Sequence, residues 1–264
     1  MLIDFHTHCF PDPVAAKAIP KLAGIGGLTP FTDGTVGGLL REMDRCGVSH
    51  AVCLNIATNT HQQPKVNDFA LGLSRLSPRL TGFGSVHPDS EEKYQTVRAL
   101  AEAGIKGLKL HPDYQGAELL DPRYDEIFSA CVDFSLPVVI HAGWDFISPD
   151  HVHAPPAATE KLLRRYPGLK LVAAHLGGNR QWKEVIRHLV GRDVYLDTSL
   201  CCAGLPRGEA KDILINHNPD RLLFGSDLPW CSPELTRDFL LSLSLPEELY
   251  EKIFYKNAQH LLDL

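Results

Sequence analysis

The first eight residues, MLIDFHTH, place His6 and His8 two positions apart at the end of a short apolar run. Side chains at i and i+2 of an extended strand point the same way. Two protonated imidazoles aimed at one spot repel each other, whereas two neutral ones offer a pair of nitrogen donors to a metal ion. Other polar residues stand in the same relation to later apolar runs. Asp4 lies within the first run, Asn55 ends the second, and His87 follows the third. Lys109 and His111 close the fourth in GLKLHP, His141 follows the fifth in VVIHAG, and His175 follows the sixth in LVAAHLGG. Asp197 ends the seventh in VYLDTS, and Asp227 follows the eighth in LLFGSDLP. One histidine at a strand end is usually a structural hydrogen-bonder. Several of them together with Asp227 point instead to a divalent metal that makes its bound water acidic.

For those side chains to act together, the elements carrying them must bring their ends to one place. The apolar runs cover 2–5, 48–55, 80–86, 104–110, 137–140, 170–174, 193–197 and 221–225, with starts roughly 23–46 residues apart. That interval suits one strand and one helix per unit. Runs apolar throughout, such as LPVVI and KLVAA, suit strands buried on both faces of a parallel sheet. Helical patterns fill the gaps. The one over 90–104 has Ser90 as N-cap, and the one over 121–134 has Asp121 as N-cap with Pro122 at the first helical position. Two more cover 154–168 and 179–191. The first gap is the weakest, Gly-rich over 25–40 before a helical pattern at 39–46. Tertiary contacts hold that segment, or it is mobile. No composition break marks a second domain. The reading is a single (β/α)8 TIM-type barrel over residues 1–264, where the C-terminal strand ends meet at one face. An open doubly wound sheet competes, but no Gly-x-Gly-x-x-Gly turn follows the first strand.

Composition narrows the function. The net charge of −6, without a basic cluster, argues against nucleic acid or an anionic membrane as partner. The seven cysteines have no framework spacing and no CxxC pair, and read as reduced thiols. No stretch approaches the ~18 apolar residues of a membrane span, and no signal-peptide pattern is evident, so a cytoplasmic enzyme with a small-molecule substrate is expected. His50, His61, His188, His217 and His260 read as surface or packing residues. His151 and His153, in the Pro-rich SPDHVHAPP, either overhang the site or belong to a solvated loop.

The motifs IDFHTH, GLKLHP, VVIHAG, LVAAHLGG, VYLDTS and LLFGSDLP together resemble the amidohydrolase superfamily, and more narrowly its amidohydrolase-2 branch of metal-dependent hydrolases and non-oxidative decarboxylases. The resemblance implies a distorted (β/α)8 barrel with a divalent metal, usually zinc, at its top. It matches His6, His8, His141 and Asp227 to the ligands of mononuclear members. His175 matches the histidine that hydrogen-bonds the water or substrate. In binuclear members His141 and His175 bind a second metal, and Lys109 falls where some relatives carry a carbamylated bridging lysine. One or two ions are therefore expected.

Three imidazoles and a carboxylate leave a coordination position for water, whose pKa zinc lowers from about 16 to near 7. Asp227 would act as general base and return the proton to the leaving group, while His175 or the metal holds the oxyanion. Asp197 either orients a histidine or caps its strand. Lys109, His111, Arg180 and Arg207 could meet substrate, with Trp144, Tyr114 and Trp230 as walls. The first reading is hydrolysis of a small amide, lactone or ester. The alternative is decarboxylation of an aromatic or enoic acid on the same site. DFHTH also resembles the opening of polymerase-and-histidinol-phosphatase phosphoesterases, but no Asp-x-His follows near the last strand. A non-catalytic metal-binding relative would keep the metal but leave no open position for water, and nothing in the sequence suggests lost ligands. A homodimer is expected by analogy with relatives.

Overall fold

The computed structural model describes residues 1–264. Eight parallel strands alternate with helices: β1 Ile3–Thr7, β2 His50–Leu54, β3 Leu80–Phe83, β4 Leu108–Leu110, β5 Val138–Ile140, β6 Leu171–Ala173, β7 Tyr195–Asp197 and β8 Leu222–Leu223. Each falls within, or within two residues of, one predicted apolar run. Ladders join β1-β2-β3 and β4-β5-β6-β7-β8. Backbone contacts close the ring between these two groups. Lys109 N–H donates to Gly84 O at 2.7 Å on one side, and Phe5 N–H donates to Phe224 O at 2.8 Å on the other. The closed barrel is distorted at these two seams, where single bridges replace continuous ladders.

Burial on both strand faces explains the apolar runs. Ile3, Phe5, Val52, Leu54, Phe83, Val139, Val172 and Leu223 fill the barrel interior, and Ala258, Leu261 and Leu262 pack against them. Their neighbours Leu108, Leu110, Val138, Ile140, Leu171, Ala173, Leu196 and Leu222 join the larger cluster beneath the surrounding helices. Phe5 meets Phe83 edge-on with centroids 5.7 Å apart.

The helices depart from the expectation in two places. Ser90 does not cap. Its hydroxyl donates to Gln63 Oε1 at 2.7 Å, and the helix begins at Lys93. Asp121 does cap, accepting Arg123 N–H at 2.9 Å, but the turn it starts is 3-10 (Pro122–Tyr124) before the α-helix Asp125–Asp133. The first gap is better ordered than its glycines suggest. Helix Asp12–Gly26 precedes the loop, and Thr35 caps helix Val36–Cys46 by accepting Gly38 N–H at 2.9 Å. All seven cysteines are free thiols, and Cys202 Sγ lies 2.9 Å from Cys231 Sγ.

Candidate active site

The predicted strand-end residues converge at one end of the barrel. The register of β1 on β2 shifts between Asp4 and Thr7. His6, within that shift, and His8, just beyond it, approach the same carboxylate oxygen, Oδ1 of Asp227, at 3.2 Å and 3.0 Å from their Nε2 atoms. Asp227 itself has a φ of +74°, in the left-handed region. Its amide donates to His6 O at 2.8 Å, and the preceding Ser226 is pinned by Asp4 through N–H (2.9 Å) and hydroxyl (2.5 Å) donors. Asp4 is therefore a structural anchor. Gly225 lets the two chains meet, since a Cβ there would lie 2.8 Å from the His6 Cβ.

The protons on this trio are fixed by its neighbours. His6 Nδ1 lies 2.8 Å from Asp197 Oδ2, and His8 Nδ1 lies 2.8 Å from the carbonyl of Leu54. Both acceptors lack a proton, so each Nδ1 is the donor and each neutral ring presents a lone pair at Nε2. Burial works against the Asp227 carboxylate, yet the His6 and His8 imidazoles hold it well below the usual range. Burial likewise pushes His8 down. Burial and Lys109 push His6 down too, but Asp197 and Asp227 outweigh them. Two nitrogen lone pairs and a carboxylate oxygen thus crowd one buried point. A proton at His6 relieves part of the crowding, whereas a divalent cation satisfies all three donors at once. These residues fit a metal.

A second set stands beside the first. His175 and Leu176 take left-handed φ of +58° and +50°, with their amides donating to Asp197 Oδ1 (3.1 Å) and Asp197 O (2.7 Å). Ser199 donates its hydroxyl proton to Asp197 Oδ1, so its oxygen accepts from His175 Nδ1 at 2.9 Å. His175 Nε2 is then an acceptor, and His141 Nδ1 donates to it across 3.0 Å. The remaining nitrogen of His141, Nε2, is a buried lone pair with no hydrogen-bond partner, 3.5 Å from Asp145 Oδ2. His111 stacks on His141 at 4.2 Å, and its Nε2 lies 3.6 Å from the same oxygen.

The four predicted ligands therefore do not form one group. His6, His8 and Asp227 form one, and His141 groups with His111 and Asp145. His175 sits between the two, its ring centroid 5.3 Å from His6 and 4.7 Å from His141. Lys109 is fully buried with its Nζ 3.5 Å from His6 Nε2, and burial pushes its amine down to about 8.

These groups lie at the floor of a cavity of about 660 Å³. Tyr114 and Trp230 line it, as expected for walls, whereas Trp144, Arg180 and Arg207 do not. Arg180 lies instead over the Trp144 ring, 3.7 Å from its centroid, where the cation and the aromatic face satisfy each other. His151 pairs with Glu118 at 2.6 Å and His153 with Asp113 at 3.0 Å, outside the cavity. His50, His188 and His217 bond Thr81, Glu160 and the Val194 carbonyl, the packing roles expected of them. Asp145 and Ser199 were missed. Asp145 follows His141 by four residues, a visible spacing, but Ser199 gave no signal until its contact with His175 was seen.

Burial is the main cause that pushes His111 down to about 4 and His141 and His175 to about 3, from 6.5. The folded chain keeps these rings neutral while the unfolded chain protonates them. Stability of the metal-free protein is therefore expected to hold above pH 6.5 and to fall as the pH drops below it. A depression of two units corresponds to ~3 kcal/mol. Urea midpoints measured with chelator present would check this, and a flat profile from pH 6.5 down to about 4 would contradict it.

Comparison with known proteins gives a consistent result. A family model described as amidohydrolase, of the amidohydrolase-2 type, matches residues 3–264. No curated protein matches the chain. Among solved structures, a TIM-barrel protein from Bordetella bronchiseptica is similar at 19% identity and TM-score 0.76, covering 99% of this chain and 98% of that one. A protein from Pseudomonas putida described as a putative 2-pyrone-4,6-dicarboxylic acid hydrolase is similar at 20% identity and TM-score 0.68, covering 99% and 97%. A 5-carboxyvanillate decarboxylase from Novosphingobium aromaticivorans, complexed with manganese and a nitrobenzoic acid, is similar at 17% identity and TM-score 0.73, covering 100% and 96%. At these identities the likeness establishes the TIM-barrel fold. No helix is long and apolar enough to cross a membrane.

Proposed function

The chain belongs to the amidohydrolase family, a family of metal-dependent enzymes, and from that premise we propose that it hydrolyses a small-molecule amide, lactone or ester. The observation that carries this reading is the crowding of His6 Nε2, His8 Nε2 and Asp227 Oδ1 at the cavity floor. We take His6, His8 and Asp227 as the core ligands of one ion, with His141, which groups here with His111 and Asp145, as the fourth ligand that would have to turn toward it, and zinc as the ion, because a set dominated by imidazole suits zinc. When bound, the ion supplies Lewis acidity that brings its water's pKa toward 7. Hydrolysis then needs a group to take a proton and return it. Asp227 fills that role, since both imidazoles address Oδ1 and Oδ2 is left for the proton. With Ser199 fixing its proton at Nδ1, His175 presents a lone pair at Nε2, so it is placed to accept a proton from the attacking water or from a substrate donor rather than to hold the carbonyl oxygen. Asp197 keeps His6 in the tautomer that presents Nε2. A second ion would draw on Lys109 as a carbamate together with His175 and His141. We take the protein to be a single-domain enzyme of the cytoplasm.

Decarboxylation is the second reading, and Lys109 favours it. A buried amine 3.5 Å from His6 could hold a substrate carboxylate at the same floor. Turnover in oxygen-18 water separates the two. Zinc-loaded protein is expected to place the label in the product acid without releasing carbon dioxide. Stoichiometric carbon dioxide from a carboxylic acid substrate, without label, would replace the first reading with the second. Metal content measured alongside is expected at one equivalent, and two equivalents would move His175 from catalysis to ligation.

A further inference from the structure

Helix Asp12–Gly26 has two apolar faces. Ala15 and Ile19 are buried in the protein. Val14, Ala18, Leu22 and Ile25 recur at the i, i+4, i+8, i+11 spacing of a second stripe, and all four line the cavity above the metal-ligand candidates. A solvent-facing helix has no need of that second stripe. Val14 and Ile25 remain 48% and 45% exposed. Helix Gln63–Leu76 contributes Val66 and Phe69 to the lining of the same cavity. The first wall rises eleven steps from Val14 to Ile25, about 16 Å of helix at 1.5 Å per residue. No arginine lines the cavity, and the two lysines of its upper walls, Lys21 and Lys65, are exposed to water. Asn55, Thr58 and Gln62 also line the cavity but carry no charge, so its walls suit a neutral, largely apolar group better than a second carboxylate.

We propose that the substrate carries an unbranched hydrocarbon chain, laid between these two helices, with its reacting carbonyl at the floor formed by His6, His8 and Asp227. The channel is continuous with that floor, so a chain seated in it is joined to the group that reacts. This rests on the reading of the floor as the catalytic site and names the substrate class that such a site would take.

Calorimetric titration of zinc-loaded protein with unbranched carboxylates, from butanoate to dodecanoate, tests the channel without requiring turnover. Affinity is expected to rise about three- to fourfold per added methylene and to level off once the chain outruns the wall. Val14→Asp and Ile25→Asp alter exposed positions, and circular dichroism checks that each variant folds. Each is expected to weaken dodecanoate at least tenfold and to matter progressively less as the chain shortens. A series without slope overturns the proposal. So does a dimer that Ile25→Asp dissociates while the series stays flat, which would assign the stripe to a second copy of the chain. Matching alkyl esters in oxygen-18 water separate the two readings. A chain-length slope without labelled product overturns hydrolysis alone, and labelled product without a slope overturns the channel alone.

Discussion

Replacing Asp227 with asparagine is expected to lower kcat by a factor of about 10³ while leaving the barrel folded. The reasoning starts from the backbone. Asp227 has a φ of +74°, and asparagine is the residue after glycine that best tolerates that region, so the substitution adds little strain. The hydrogen bond that the Asp227 backbone N–H donates to His6 O does not depend on the side chain. An asparagine oxygen can still face His6 Nε2 and His8 Nε2. What disappears is the negative charge and the ability to accept a proton. Part of the ion content should therefore survive, and turnover should not. Metal analysis and steady-state kinetics on one preparation check both halves. A kcat within tenfold of the parent enzyme would remove Asp227 from proton transfer. Loss of all metal with loss of activity would make it chiefly a ligand.

The barrel was legible because its strands are buried on both faces and so leave continuous apolar runs. All eight runs contain or adjoin a strand, and the residues after them converge because parallel strands end together. The seams at Gly84 and Phe224 were not legible, since they depend on single backbone contacts. The pairings within the site also lay outside the pattern. Sequence places His6, His8 and His141 at strand ends, but which nitrogen each presents depends on Asp197, Leu54 O and His175 respectively. Arg180 illustrates the limit of a local reading. Its place after LVAAHLGG suggested a substrate contact, yet a left-handed φ of +59° and the Trp144 face take it elsewhere. Helix Asp12–Gly26 escaped notice because it is apolar on two faces and contains Pro20, so it lacks the single stripe of a surface helix.

The second large effect is expected at His6. His6→Ala should remove the ion under conditions that saturate the parent protein and reduce activity by at least about 10³, because it deletes a nitrogen donor. It also leaves Asp197 Oδ2 without its imidazole partner and Lys109 Nζ without its hydrogen bond, both in a fully buried setting. A purely structural role for His6 would predict the same instability, so stability alone decides nothing. Asp197→Asn supplies the discrimination. The asparagine amide can still hydrogen-bond the His6 ring, but as a neutral group it no longer enforces the tautomer with Nε2 free. Support of this kind typically contributes 10- to 100-fold in metal affinity. Zinc affinity should therefore fall by about that factor in Asp197→Asn, and excess zinc should restore much of its activity. No zinc concentration should restore His6→Ala. If excess zinc rescues both variants equally, or neither variant changes zinc affinity, His6 is not a ligand and the floor of the cavity needs another explanation. Rescue confined to Asp197→Asn would place His6 on the ion and Asp197 behind it, the arrangement that the 2.8 Å contact between them anticipates.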